Sequence, residues 1–451
     1  MKRIKTPEEA VNSSIVRPGS RIYSSGNAAT PQTLLNQLVE DQSIRDVELL
    51  SVLLLGDIED LFSEEVCGRI THRVIFNSHH SRAAVNAGRA SYQLMHLSDI
   101  PKQLKDYLKP DVVFVSVAGP DNGGNFSLGT TVEGMSAAIQ TAKENNGIVI
   151  AERNSRMPFV LGATIHGDAI DYLLNTDYDL PISPVKKPDE RARKIADLIA
   201  QLYVEDGCTL QYGIGEVPEA VTDAIIEKGV RDLGIRTELF ADAMRILVEK
   251  GIVTNRYLEN PFSVATIFLS GNRGGYHWFD ANSSVQSRPS DQTNSILNIA
   301  KQPKMIAVNS AIGADLHGNI WADSLLGRNI YSGVGGQADF LRGAYLAKGG
   351  VPIIAMKSTA SKGLSKIVDK CPEGITTTAI AADPVSIITE YGVFDPRGLS
   401  ITERAVGIAH LASPETREKL LKHIHDSETF LNPSKYLNKD GPRGFFPYEK
   451  L

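Results

Sequence analysis

Two short stretches of this chain combine residue types that can do chemistry on a carbonyl group. They are Gly213-Ile214-Gly215-Glu216-Val217-Pro218 and, a little further on, Arg236-Thr237-Glu238-Leu239-Phe240. In the first, an apolar strand runs into a glycine turn that opens a helix. Glycine lets the main chain approach a ligand closely, and a helix start offers unpaired N–H groups and the positive end of the dipole. In the second, a carboxylate stands at the end of the next apolar stretch. Donors at Gly213, Ile214 and Gly215 would then share a crevice with Glu238. A plain βα turn competes with this reading of the glycines, and Pro218 stands where a dinucleotide fingerprint has its third glycine. Glu238 precedes a helix expected from Ala241, so a role in that helix's first turn competes too. Glu216, inside the turn itself, is the other carboxylate that could attack.

A second glycine turn is denser. Ser332-Gly333-Val334-Gly335-Gly336-Gln337-Ala338-Asp339-Phe340 sets three glycines in four positions ahead of a helix. It is an oxyanion-binding candidate, with Gln337 as a side-chain donor. No Gly-Lys-Ser/Thr follows, so it is not a phosphate P-loop. Glu390-Tyr391-Gly392-Val393 with Arg397-Gly398 is a charged cluster at a strand end, for which a structural Glu390–Arg397 pair is the competing reading. The histidines lack metal-site spacing: His79-His80, His166, His423 and His425 have no i, i+4 partner set. No metal site and no G-x-S-x-G elbow is expected.

These segments need strands and helices to hold them. Arg21-Ile22-Tyr23, Val47 to Leu55, Val112 to Val117 and Ile148 to Ile150 are nearly continuous apolar runs, which predicts a mainly parallel sheet covered on both faces. Pro31 to Val39 and Met135 to Asn145 read as helices between them. The second half repeats the style. Its strands are Thr209 to Tyr212, Val264 to Leu269, Met305 to Val308, Val351 to Met356 and Val385 to Thr389. Its helices are Asp189 to Leu202, Pro218 to Lys228, Ala241 to Lys250, Ala338 to Lys348 and Ile401 to Leu411, with Gly229 and Gly251 at C-caps. The segment Leu180 to Pro188 carries three prolines and reads as a stiff connector between two domains, 1–184 and 185–451. From Ser434 the chain reads as an irregular surface extension. Gly26-Asn27-Ala28-Ala29-Thr30-Pro31 repeats the Gly-to-Pro spacing of Gly213 to Pro218, each with proline expected in the first helical turn, so the two domains read as a duplication.

Composition narrows the function. A chain of 451 residues calls for more than one core. The net charge of -6 argues against a nucleic-acid or anionic-membrane partner. No apolar run is long enough to span a bilayer and no secretory signal is legible. Cys67, Cys208 and Cys371 are odd in number and scattered, which fits a reducing, cytoplasmic setting.

Taken together, the motifs resemble the family of acetyl-CoA hydrolases, acetate CoA-transferases and 4-hydroxybutyrate CoA-transferases. The resemblance runs along nearly the whole chain. In the first half it is carried by Pro120-Asp121-Asn122-Gly123-Gly124-Asn125-Phe126-Ser127-Leu128-Gly129 and Asn154-Ser155-Arg156-Met157-Pro158. In the second it is carried by Gly213 to Gly215, Thr237-Glu238-Leu239, Val308-Asn309-Ser310-Ala311, Ser332 to Phe340, and Glu390 to Val393 with Arg397-Gly398.

The resemblance implies an α/β fold of two similar domains related by duplication, with the active site in the cleft between them. It implies Glu238 as nucleophile, and oxyanion and CoA donors at Gly213, Ile214, Gly215, Gly333, Val334, Gly335, Gly336 and Gln337. It adds Asn309, Glu390 and Arg397 as substrate-side candidates. It implies coenzyme A as a substrate with no resident cofactor, and a homodimer or homotetramer. The activity it implies is CoA transfer from acetyl-CoA or succinyl-CoA to an acid such as butyrate, 4-hydroxybutyrate, succinate or itaconate. Hydrolysis of acyl-CoA on the same scaffold is the first alternative, and a non-catalytic CoA- or metabolite-binding protein the second. The chain departs from the family pattern at Ala381-Ala382-Asp383, Ser365-Lys366-Ile367-Val368 and Phe394-Asp395-Pro396. Arg273 and Arg397 are candidates to pair with the second carboxylate of a dicarboxylic substrate.

Overall fold

In a computed structural model of the chain, all six residues of Val112–Val117 are buried, as a continuous apolar run should be when both faces of a sheet are covered. The structure describes residues 1–325, 329–430 and 441–451, with the backbone of 437–438. The first sheet has eight strands: β1 (Lys2–Ile4), β2 (Arg21–Ser24), β3 (Val47–Val52), β4 (Ile70–Phe76), β5 (Ser91–Tyr92), β6 (Val112–Val117), β7 (Ile148–Asn154) and β8 (Tyr172–Thr176). Their order is β1-β8-β7-β6-β2-β3-β4-β5, and every pairing is parallel.

The second sheet has seven strands: β9 (Thr209–Tyr212), β10 (Gly234–Ile235), β11 (Met305–Asn309), β12 (Val351–Ala355), β13 (Ser386–Thr389), β14 (Gly392–Phe394) and β15 (Phe445–Pro447). Their order is β10-β9-β11-β12-β13-β14-β15. The first five are parallel, and β14 and β15 add on antiparallel. The two sheets share a path. In each, the strand that feeds a glycine turn (β2 or β9) pairs with its successor on one side and with a later strand on the other, beyond which two further strands follow in chain order.

Helices cover both sheets where the apolar spacing put them. Glu190–Tyr203 is capped by Asp189, whose side chain accepts from the Ala192 amide, and Glu216–Lys228 ends at Gly229 in the left-handed region with φ 72°. Three expectations change. Val264 to Leu269 is two short strands, Ser263–Ala265 and Ile267–Phe268, because the Thr266 and Ile267 amides both turn to the Glu238 carbonyl. Pro31 is a helix N-cap, whereas Pro218 is the third residue of its helix, so the two prolines are not equivalent. Of the chain beyond Ser434, residues 434–436 and 439–440 lie outside the described residues. The rest is not an irregular extension: Phe445–Pro447 closes the sheet edge as β15. No helix among the described residues is long and apolar enough to cross a membrane.

Candidate active site

Glu238 sits just ahead of the strand Leu239–Phe240, and its main chain is fixed before its side chain is considered. Its carbonyl accepts from Thr266 (3.1 Å) and Ile267 (3.0 Å). Thr237 is fully buried, and its Oγ1 lies 3.5 Å from the Tyr212 carbonyl and 3.0 Å from the Leu239 carbonyl. Those bonds pin the residue before the carboxylate to the end of β9, one residue ahead of the Gly213 turn.

The carboxylate does not cap the helix Asp242–Glu249, whose N-cap is Ala241 and carries no side-chain cap bond. A helix-capping role for Glu238 is therefore not what the structure shows. Glu238 Oε2 accepts from Asn294 Nδ2 at 2.9 Å, and the Gly336 main chain lies against the same carboxylate. Asn294 is fully buried and is itself braced by Thr293 Oγ1 at 2.7 Å from its Oδ1. Burial raises the Glu238 pKa from its ordinary value to about 7, with the charge of Asp339 adding to the rise, while Asn294 and Gly336 oppose it. Glu238 keeps part of its surface open, although protein surrounds it on most sides.

The turn that carries Gly336 is wedged between the two halves of the chain. Gly333 bridges Phe76 at the end of β4, and its missing Cβ would overlap the Phe76 ring and the Ile75 carbonyl. The Gly335 carbonyl accepts from Leu97 at 3.0 Å, and Gly335 adopts φ 60°. At Gly336 a Cβ would collide with both Asn294 Nδ2 and Glu238 Oε2, so only glycine lets the main chain reach the carboxylate. One residue group on, Asp339 accepts from Ser98 Oγ at 2.8 Å, and burial raises its pKa to about 7. Phe76, Leu97 and Ser98 come from the N-terminal half and Gly333–Asp339 from the C-terminal half, so Glu238 lies where the halves meet.

The remaining candidates divide. Ile214 is exposed and Gly213 and Gly215 are half-buried, with Gly215 at φ 125°; Ile214 and Gly215 border a cavity of about 320 Å³ shared with Ser183–Lys186 of the connector, Asp242 and Gly271. The hydrogen bond to the Glu238 carboxylate comes from Asn294 and not from this turn. Glu216 is held by the Lys357 ammonium rather than facing Glu238. Val334 lies beside Tyr92, whose hydroxyl donates to Asp323 Oδ2 at 3.2 Å. Gln337 departs from its expected role: its Nε2 donates to the Ser310 carbonyl at 2.6 Å, which fixes the end of β11. Asn309 pairs with the Gln211 side chain at 3.1 Å on the neighbouring strand. Glu390 accepts from the Ser358 amide and hydroxyl, both at 2.8 Å, and Arg397 is taken by Asp395 at 2.9 Å, so these two do not pair with each other. Arg273 is bound to Asp179.

Residues 1–184 match the acetyl-CoA hydrolase/transferase N-terminal domain, and residues 271–424 match its C-terminal domain. The chain belongs to the acetyl-CoA hydrolase/transferase family. It is 34% identical over 430 residues to a 4-hydroxybutyrate coenzyme A transferase of Clostridium kluyveri, covering 94% of this chain and 97% of that one. It is 33% identical to a succinyl-CoA:acetate/propanoyl-CoA:succinate CoA transferase of Fasciola hepatica, covering 91% and 86%. Among solved structures, RipA from Yersinia pestis superposes with a TM-score of 0.86 at 31% identity, covering 93% of this chain and 96% of that one. The chain is thus an enzyme of the CoA-transferase type, built on the α/β fold its relatives share.

Sequence reasoning did not find Asn294 or Asp339 as partners of Glu238, nor Phe76 and Ser98 as the N-terminal residues that meet the second glycine segment. Asn294 ends a four-residue helix and carries no motif of its own. Asp339 was visible as part of the second glycine segment, but nothing in its spacing announced a bond to Ser98, 241 residues away.

Proposed function

We propose that the enzyme moves coenzyme A between an acyl-CoA and a small carboxylic acid, with Glu238 as the nucleophile. The observation that carries this reading is a carboxylate held by Asn294 Nδ2 and packed against the Gly336 main chain, in a turn where a Cβ would overlap it. A carboxylate suits CoA exchange because it attacks in its ionised form and needs no general base.

In the first step Glu238 Oε attacks the thioester carbonyl, the C–S bond breaks, and CoA leaves as thiolate. The product is a mixed anhydride between the acyl group and Glu238. The thiolate then attacks the Glu238 carbonyl, releasing the first acid as carboxylate and leaving a glutamyl-CoA thioester. The acceptor acid runs both steps in reverse and departs as the new acyl-CoA. Each addition places negative charge on an oxygen, which the amides of Gly213–Gly215 and Gly333–Gly336 are suited to meet. A single such donor is worth on the order of 10²–10³ in rate. Packing of Phe76 and Leu97 against the second turn helps exclude water, which would otherwise hydrolyse the anhydride.

For the acceptor, Arg273 and Arg397 are occupied by Asp179 and Asp395. The groups around Glu238 are instead acidic or neutral: Asp339, Asn294 and glycine amides. A monocarboxylic acid such as butyrate or 4-hydroxybutyrate fits this better than succinate or itaconate.

The intact mass of the protein after incubation with acyl-CoA tests the reading. A CoA-sized adduct is expected, removed by hydroxylamine and abolished in Glu238→Ala. No adduct, with Glu238→Ala still active, overturns it. Product release that needs an acceptor acid separates transfer from hydrolysis.

A further inference from the structure

The N-terminal half sends one more carboxyl toward Glu238, and the proposed mechanism leaves it unused. Glu133 is 1% exposed and holds φ 41°, a left-handed conformation that residues with a side chain seldom adopt. Its main chain is tied to the C-terminal half on both sides. Its amide donates to Thr266 Oγ1 at 2.8 Å, and its carbonyl accepts from the Ser290 amide at 3.0 Å. Thr266 is the residue whose amide holds the Glu238 carbonyl. Glu133 is therefore two hydrogen bonds from the nucleophile's backbone.

Its side chain has no cation. Among the described residues it forms no ion pair, and its one hydrogen-bond partner is Asn27, whose Nδ2 lies 3.0 Å from Oε1. Asn27 is fully buried at φ 52° in the turn after β2, the counterpart of the Gly213 turn, and its Oδ1 is buried with no donor. An amide and a carboxylate leave that oxygen orphaned; an amide and a carboxylic acid complete each other, the amide donating to one oxygen and the acid proton returning to the other. A buried carboxylate with no cation is also expensive, and a like charge at Glu238 disfavours it further.

We propose that Glu133 serves Glu238 as a positioning residue: an uncharged acid from the N-terminal half that braces the cleft behind the nucleophile, so that the site works with one carboxylate and fails with two. This rests on Glu238 being the nucleophile. The titratable groups facing Glu133 are Tyr23 on β2 and Glu238, with Asp339 beyond Glu238. Tyr23 is held neutral by burial. Ionisation of Glu133 would set two anions beside a reaction that generates a third.

The test is the pH dependence of kcat/KM for CoA transfer in wild type and Glu133→Gln. Glutamine mimics the protonated acid, since its amide gives Asn27 Oδ1 the missing donor. Wild type is expected to lose activity on an alkaline limb. Glu133→Gln is expected to keep its plateau rate within about tenfold and to lose that limb, whereas a merely structural role would lower the plateau and leave the limb in place. A wild-type profile flat to about pH 10, or an alkaline limb retained in Glu133→Gln, overturns the proposal. Should the variant not fold, the wild-type infrared spectrum decides. Glu152, Glu219, Glu238 and Asp339 are each held near 7 and have ionised well above it, so a carboxylic-acid band that persists there supports a protonated Glu133, and its absence overturns it. The glutamyl-CoA adduct is scored in the same samples: its absence from wild type condemns Glu238 as nucleophile, whereas its presence with an unmoved limb condemns Glu133 alone.

Discussion

A carboxylate nucleophile is stronger when dry, and drying it raises its pKa. As the proposed nucleophile, Glu238 stands at that compromise, lifted to about 7 by burial and Asp339 and held from rising further by Asn294 and Gly336. Since the ionised form attacks, kcat/KM is expected to fall as pH drops through about 7, well above the range of an exposed glutamate, and a pH–rate profile reads this directly. Asn294→Ala removes a donor to the charged form and should move that limb up by about one to two pH units, with the plateau less affected than the rate at neutrality. Stability runs the other way. With a folded pKa above the unfolded one, Glu238 binds more protons in the native state between about 4.5 and 7, so its contribution falls as pH rises across that window. Glu238→Gln carries no such charge. Its thermal midpoint should exceed that of wild type by a few degrees at about pH 8 and match it below about pH 4.5.

At the scale of turns and strands, the two glycine segments differ in what glycine is for. A Cβ on Gly336 meets Glu238 and Asn294, so Gly336→Ala should cost on the order of 10²–10³ in kcat. A Cβ on Gly213 meets nothing in the folded chain, and Gly213 has no left-handed φ. Gly213→Ala should therefore leave the thermal midpoint unchanged, and any loss of turnover then measures a ligand approaching that turn. An unchanged kcat/KM for acyl-CoA would exclude Gly213 from the oxyanion site. These elements were largely legible beforehand. Thr209–Tyr212 and Val112–Val117 begin and end where their apolar runs do, because burial on both faces leaves no other reading. Val264 to Leu269 misled because its composition is uniform, while the break at Thr266 is set by hydrogen bonds to Val132 and Glu238, neither adjacent in sequence. The same long-range bonding hid Asn294: a polar residue at the end of a short helix looks identical whether it faces water or a catalytic acid.

Across the whole molecule, the site exists only because two sheets with the same strand path are clamped together. Glu238 and Gly336 belong to one half, and Phe76, Leu97, Ser98 and Glu133 to the other. The bonds across the junction are spread widely: Asn77 to Ser332, Val132 to Thr266, Phe268 to Thr130, Ala281 to Phe159 and Ser287 to Leu161. The connector contributes little by comparison. Val185, Lys186 and Lys187 are exposed without regular structure, while Ser183 is anchored to Ser270. We therefore propose the boundary at 184/185 as a covalent convenience rather than a mechanical necessity. A site-specific protease sequence inserted between Val185 and Lys186 should be cut in the native enzyme, since the segment is extended and accessible. After cutting, the two fragments should co-elute on gel filtration and retain most of the CoA-transfer rate, because no contact around Glu238 depends on the peptide link. Separated in denaturant and returned singly to buffer, neither should form the hydroxylamine-sensitive adduct: one lacks the nucleophile, and the other lacks the wall that keeps water from the anhydride. Adduct formation by the isolated C-terminal fragment would place the whole reacting centre in one half and refute the shared cleft.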